Sequence, residues 1–228
     1  MGELAIQELI KQADELYARR EPFMTVHEAV ELLLSWHGPL NYEIQWRLGR
    51  AYFFLGQEAA KTTDALAFHL QGIKACAAAV HKEENKVAAH FWLGVNLALA
   101  ARHEGALTAI RHAWQARREL RRAMQIDPAY HGAGPLRVFA RLQHKLPRWF
   151  GGGRARARRN YEAAIALAPN NSVTRIYFAE LLLELNERDL ARAELEFVLS
   201  GPHDPEWEFE IERDRRIARD MLKAKDEG

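Results

Sequence analysis

One spacing constrains the fold of this chain more than any other feature: small and apolar residues recur 34 positions apart. Ala157, Tyr161 and Ala164 are matched at this distance by Ala191, Leu195 and Val198. Within each set the three positions fall at i, i+4 and i+7, which is one face of an α-helix. A period of this length indicates stacked helix-turn-helix units, each of which buries its apolar face only against its neighbours.

The rest of the apolar spacing predicts helices throughout the chain. Segments with helical periodicity cover residues 3–19, 23–37, 41–55, 59–82, 86–101, 105–126, 133–146, 154–168, 172–186, 188–199 and 205–224. The eight prolines lie between these segments or in their first turn, which is where helices tolerate proline. No stretch shows the sustained alternation that is typical of a strand. We therefore predict an all-α protein.

Four stretches resemble the tetratricopeptide repeat, whose motif has W-x2-L-G-x2-Y on the first helix and A-x3-F-x2-A, then proline, on the second. They read "WRLGRAY", "FWLGVNL", "RRAMQIDP" and "ARRNYEAAIALAP". Small residues such as Gly49 and Gly94 would let paired helices approach closely. The resemblance implies a tetratricopeptide-like α-α superhelix of about five helical hairpins plus a C-terminal capping helix. We expect one domain over residues 1–228, with irregular repeats 1–40, 41–84, 85–128, 129–169 and 170–203 and the capping helix at 204–226.

Two irregularities in the repeat pattern make the chain resemble one particular family of tetratricopeptide-like proteins. The closing "AMQIDP" comes late, so the second helix of repeat 85–128 must be about three turns too long, and Pro128 to Pro169 spans 41 residues instead of 34. These features resemble the T component of TRAP transporters, the TatT family, through "FW" at Phe91 and Trp92, "QIDP", and "LPRWFGGG" followed by "ARRNYEAA". The resemblance covers residues 40–200. It implies a periplasmic lipoprotein that docks a substrate-binding protein and passes on hydrophobic ligands.

Charge is distributed unevenly along the chain. Its net charge is −3 over residues 1–101, +11 over 102–159 and −7 over 160–228. The candidate basic patch comprises Arg117, Arg118, Arg121, Arg122, Arg154, Arg156, Arg158 and Arg159. The last four crowd the first turns of a helix, where the macrodipole disfavours cations, so we expect an acidic group nearby. It could be the acidic tail "DPEWEFEIERD" or an acidic protein partner, while nucleic acid is the least favoured alternative.

A candidate groove follows from the tetratricopeptide resemblance, in which the first helices line a concave surface. The groove residues are Trp46, Arg50, Phe53, Phe54, Phe91, Val95, Leu99, Phe139, Leu142, Ile176 and Glu180. Most are apolar, so the groove needs a cover. The long helices 59–82 and 105–126 could fold over it as ordinary core, a partner's amphipathic helix could lie in it, or a hydrophobic small molecule could occupy it. Self-association into a homo-oligomer is a further alternative.

Catalytic and cofactor motifs are absent from the sequence. No two histidines are three or four residues apart, there is no phosphate-binding glycine motif, and Cys76 lies among small apolar residues. We expect a non-enzymatic scaffold that mediates protein-protein interaction, without cofactor or metal, and the hydrophobic-ligand carrier is the alternative. The chain has neither a long apolar run nor a signal segment. As written it would be cytoplasmic, or periplasmic if a signal or lipobox segment had been removed.

Overall fold

The computed structural model describes residues 2–20, 24–203 and 207–226. Within these ranges the chain forms eleven α-helices and no strand. The helices are α1 (Gly2–Ala18), α2 (Met24–Leu34), α3 (Tyr42–Glu58), α4 (Thr62–Lys82), α5 (Val87–Ala100), α6 (Ala106–Ile126), α7 (Tyr130–Lys145), α8 (Arg154–Leu167), α9 (Ser172–Glu184), α10 (Arg188–Ser200) and α11 (Glu208–Asp226). The predicted all-α class is therefore confirmed. Residues 204–206 of the expected capping helix lie outside the described residues.

The chain divides into two compact units, Met1–Asp127 and Pro128–Gly228. The division falls one residue before the expected boundary between repeats 85–128 and 129–169. Unit 1 consists of the hairpins α1/α2, α3/α4 and α5/α6, and unit 2 of α7/α8 and α9/α10 followed by α11. The grouping of all repeats into a single domain remains a prediction.

Glycines let the helices of unit 1 approach closely. A Cβ atom on Gly49 of α3 would lie 2.0 Å from Cys76 Sγ of α4, and one on Gly94 of α5 would lie 2.7 Å from Leu120 Cγ of α6. Both positions carry the glycine of the tetratricopeptide motif. The reason is steric, because any side chain there would occupy the volume of the partner helix.

A buried polar network joins α3, α4 and α5. Asn96 of α5 is fully buried and donates through Nδ2 to the carbonyl oxygens of Gly49 (3.0 Å) and Trp92 (2.9 Å). Its Oδ1 lies 3.2 Å from Nδ1 of His69 on α4 and accepts that ring proton. Because every polar atom of this amide has a partner, the network fixes the register of the three helices at little cost in desolvation.

Two of the second helices of unit 1 are longer than those of unit 2. Helices α4 and α6 each have 21 residues, whereas α8 has 14 and α10 has 13. The predicted overlong helix before Pro128 is thus present. The first turns of α6 are at least partly exposed as far as Arg111, and burial begins at His112, so the extra length produces surface and not core.

Unit 2 has a continuous core in which Tyr161, Leu181, Leu182 and Leu195 are fully buried. Helix α11 closes this core, as expected of a capping helix, by packing against α9 and α10. Its buried residues Ile211 and Ala218 are apolar, as is Trp207 just before the helix, and Met221 and Leu222 pack against the core cluster. Asp214 of α11 is also buried and accepts a hydrogen bond from Ser172 Oγ at 2.6 Å. Helix α11 is therefore held mainly by apolar contact, supplemented by this buried hydrogen bond.

Helix α7 begins with a left-handed turn that the sequence pattern does not reveal. His131, Gly132 and Ala133 have φ values of 54°, 59° and 56°, and regular helix follows, with Pro135 in its first turn as predicted. Two of these residues have a Cβ atom, which is costly in this conformation. Arg137, which is buried, donates from Nη1 to the Gly132 carbonyl oxygen at 2.7 Å and holds the turn in place.

Candidate interaction surfaces

The predicted groove residues on α3 are partly covered by α1. Arg50 Nη2 lies 2.6 Å from Asp14 Oδ1, and its guanidinium stacks 3.9 Å from the Tyr17 ring centroid. Phe54 is buried and contacts Tyr17 edge-on at 6.2 Å. Burial alone would raise the pKa of Asp14, but Arg47 and Arg50 outweigh that effect and lower it. Trp46 and Arg50 remain half-buried, so α3 offers only a limited binding surface.

The predicted groove residues on α5 lie mainly in the core. Phe91 and Val95 are buried, and only Leu99 is partly exposed. Trp92, which sequence reasoning assigned only to a family motif, packs 5.2 Å from Phe53 and 4.8 Å from Phe91 between ring centroids. These aromatic contacts make this part of the expected groove a packed interior.

In unit 2 the predicted groove positions combine core residues with a paired charge cluster. Phe139 and Ile176 are buried, whereas Leu142 and Glu180 are partly exposed. Glu180 binds both Arg141, at 2.5 Å, and Lys145. Burial would raise the pKa of Glu180, but these two cations lower it. The first-helix surface of unit 2 is consequently more polar than the sequence suggested.

The basic patch separates into two groups, one in each unit. In unit 1, Arg117 is buried, Arg118 binds Glu119 at 2.7 Å, Arg122 donates to Asn85 Oδ1 at 2.6 Å, and Arg121 is exposed. Arg111, which was not singled out from the sequence, is exposed and has no ion pair with a described residue.

In unit 2 the arginines of α8 find their carboxylate partners close by. Arg158 binds Glu162 at 2.9 Å and Glu187 at 2.6 Å, and Arg154 lies 3.3 Å from Glu184. Arg156 donates to the Gly152 carbonyl oxygen, and Arg159 is exposed. The described carboxylate partners therefore belong to α8, α9 and the turn after α9. None of them lies in the acidic tail, which was one alternative from the sequence.

Among the described residues of unit 1, α6 has an exposed apolar surface that was not predicted from the sequence. Leu107, Ile110 and Trp114 are 86%, 37% and 53% exposed and follow an i, i+3, i+7 spacing. Arg111, Arg118 and Arg121 lie on the same side of the helix and are also exposed. We refer to these six residues as the α6 face. The signal in the sequence was the overlong helix combined with this spacing.

The buried titratable groups of unit 1 have structural partners. His90 Nδ1 lies 2.7 Å from Glu119 Oε2, and its Nε2 lies 2.8 Å from the Glu84 carbonyl oxygen. Burial would raise the pKa of Glu119, but hydrogen bonds from His90 and Arg118 lower it. Burial raises the pKa of the Cys76 thiol, which keeps it protonated. The described residues contain no group of three metal-ligating side chains placed to hold an ion.

The successive helical hairpins, with glycines at the close helix contacts, define a tetratricopeptide-like fold. A family model for Regulator of microtubule dynamics protein 1-3 matches residues 9–134, more than half of the sequence, and the chain belongs to that family. A search of curated proteins gives no significant match. Within the described residues, no helix is long and apolar enough to cross a membrane.

Solved structures support the same fold. The thermophilic tetratricopeptide protein TTC0263 from Thermus thermophilus is 20% identical with a TM-score of 0.68, over 95% of this chain and 98% of that one. A structure of MamA is 17% identical with a TM-score of 0.52, over 93% of this chain and 96% of that one. These similarities support the α-α superhelix fold. They lend no support to the narrower resemblance to TatT.

Proposed function

We propose that this protein is a non-enzymatic scaffold that binds an acidic protein partner through the α6 face. The observation that carries the proposal is the composition of that face, which exposes Leu107, Ile110 and Trp114 beside arginines. Helix α6 contains five arginines and a single glutamate. Tryptophan and arginine are the residues that most often dominate binding energy at protein interfaces. An excess of positive charge at the rim selects an acidic partner and speeds its association.

The family supports a first choice of partner. The α6 face lies inside residues 9–134, the segment that the family model matches, and the family description concerns microtubule dynamics. The microtubule is therefore the first assembly to test.

The candidate groove is less favoured as the binding site for a peptide or a hydrophobic ligand. Phe54, Phe91, Val95, Phe139 and Ile176 are already buried by the chain itself. An occupant would have to displace these contacts before it gained any of its own. Binding of a hydrophobic ligand in the groove would therefore require the core to rearrange, whereas binding of a partner to the α6 face would not.

The proposal is tested by co-sedimentation with stabilised microtubules. We expect the wild-type protein to pellet with them in a salt-sensitive manner, and Trp114→Ser and Arg111→Glu each to weaken binding by about tenfold, a typical loss for an interface hot spot. The matched control is Leu190→Ser, because Leu190 on α10 is a similarly exposed apolar residue of unit 2. All variants should melt at the wild-type temperature, since these side chains are exposed.

Three results would contradict different parts of the proposal. If the wild-type protein stays in the supernatant, the microtubule is not the partner. If it pellets and the α6 variants bind equally well, the α6 face is not the binding surface. A loss of binding that Leu190→Ser shows to the same extent would also exclude a specific role of α6.

A further inference from the structure

Hydrogen bonds and a close backbone contact constrain the loop between α7 and α8. Residues 147–153, the Trp149 loop, contain a short 3-10 turn at Arg148–Phe150. The N–H groups of Gly152 and Gly153 donate to the carbonyl oxygens of Pro147 (3.0 Å) and Gln143 (2.8 Å). A Cβ atom on Gly152 would lie 1.7 Å from the Leu146 carbonyl oxygen, so only glycine permits this close approach. The loop backbone is therefore constrained at both ends of the turn that carries Trp149.

This rigid loop projects a tryptophan into solvent. Trp149 is 78% exposed, and within the described chain its one ring contact is with neighbouring Phe150, at 4.4 Å between centroids. Such exposure leaves a large apolar ring without a role in the core. A tryptophan held on an ordered turn loses little conformational freedom on binding, which makes it an efficient anchor.

Unpaired positive charge lies next to Trp149 in the sequence and at the start of α8. The side chains of Arg148 and Arg159 are exposed and form no hydrogen bond or ion pair with any described residue. Arg156 is also exposed and donates only to the Gly152 carbonyl oxygen. Residues 148–159 contain five arginines and no acidic residue. An occupant of this surface must therefore supply negative charge.

We propose that the Trp149 loop and the exposed arginines of the first turns of α8 bind an acidic peptide segment of another protein. The indole of Trp149 packs on an apolar side chain of the peptide, and Arg148 and Arg159 bind the carboxylates that flank it. This site belongs to unit 2 and does not depend on the α6 face.

A peptide fits this surface better than an anionic membrane does. Glu162, Glu184 and Glu187 border the arginines through their pairs with Arg154 and Arg158. A flat membrane would bring its phosphates close to these carboxylates, whereas a narrow peptide can follow the arginines alone. A single exposed tryptophan also provides little apolar area for stable insertion.

The test uses a random peptide library displayed on phage. The library is selected on the immobilised full-length protein and counter-selected on a triple variant with Arg148→Ser, Trp149→Ser and Arg159→Ser. We expect enriched peptides that combine several Asp or Glu residues with an apolar residue. Trp149→Ser alone should weaken their binding roughly ten- to thirtyfold, as for a truncated hot-spot tryptophan. Replacing their acidic residues by the corresponding amides should abolish it.

The matched control is the double variant Trp114→Ser, Arg111→Ser, which removes an exposed tryptophan and an unpaired arginine from unit 1 instead. It should bind the selected peptides as well as the wild type does. The control also distinguishes the two proposals. Because it alters only the α6 face, peptide binding at the Trp149 loop can be confirmed or refuted whatever the microtubule experiment shows. Thermal melting of each variant verifies that it is folded.

Three results would overturn the proposal. The first is a library that yields no peptide able to distinguish the wild type from the triple variant. The second is a set of enriched peptides without excess negative charge, or with affinity unaffected by Trp149→Ser. The third is Trp149-dependent binding to vesicles of phosphatidylcholine with phosphatidylserine in the absence of any enriched peptide, which would assign the loop to a membrane surface.

Discussion

Replacing Gly94 by leucine tests the packing register of the fold most directly. A Cβ atom at this position would lie 2.7 Å from Leu120 Cγ, 3.0 Å from Leu120 Cδ2 and 3.3 Å from the Ala116 carbonyl oxygen. Leu120 is fully buried in α6, and protein interiors are closely packed. Either Leu120 or the two helices must therefore shift to admit any side chain.

The magnitude follows from two opposing effects. Overpacking a filled core costs about 1–3 kcal/mol, while replacing a glycine inside a helix gains about 1 kcal/mol of helix propensity. Gly94→Ala should thus destabilise by about 0–2 kcal/mol, the difference between these effects. Gly94→Leu adds three more heavy atoms, so we expect about 2 kcal/mol or more. For a domain of this size that corresponds to a decrease of about 4–8 °C in Tm.

The assay is thermal unfolding followed by far-ultraviolet circular dichroism. The control is Gly105→Ser at the N-cap of α6, because a Cβ atom on Gly105 meets nothing within 4 Å and serine is a favourable N-cap residue. It should leave Tm close to the wild-type value. If Gly94→Leu melted at the same temperature as the wild type, the close approach of α5 and α6 would be refuted, and with it the assignment of Gly94 to the glycine position of the motif.

Two further predictions concern pH and salt. Burial lowers the pKa of His69 from 6.5 in spite of its hydrogen bond with Asn96. The unfolded chain therefore binds a proton at this histidine more readily than the folded chain does. The free energy of unfolding should consequently fall as the pH drops through 6.5. In thermal melts His69→Gln should flatten this dependence while exposed His81→Gln retains it, and equal slopes for both would show that His69 is not responsible. Deletion of residues 204–228 should lower Tm equally at low and high salt, because α11 packs through apolar residues such as Ile211; a much smaller loss at high salt would indicate ion pairing instead.

The positions that recur along the sequence predicted the fold well. Ala157, Tyr161 and Ala164 are all fully buried, as a helix face with their spacing requires. Gly94 lies at a close helix contact for the reason that its motif implies. Such positions are predictable because helix periodicity and side-chain size are local properties that the packing of neighbouring hairpins repeats.

The candidate surfaces were less predictable because they depend on which helices meet. The apolar spacing identified Phe91 and Val95 correctly as residues of a first helix, but their exposure depends on what covers them, and they are buried. The cluster of arginines on α8 suggested positive charge without a partner nearby in the sequence. In the structure, however, Arg158 forms an ion pair with Glu187, which is distant in the sequence. Conversely, Trp149 has an ordinary sequence context, and only the folded loop shows that it is exposed.

The sequence by itself determined the helices, their pairing into hairpins and the positions that must be small, since each follows from periodicity and volume along a short segment. Only the tertiary structure decided which apolar residues remain exposed and which charges are neutralised. Burial and ion pairing depend on distances between side chains that are far apart in the chain, and packing alone fixes those distances. For this reason the α6 face and the Trp149 loop, and not the expected groove, are the surfaces through which this protein is proposed to bind its partners.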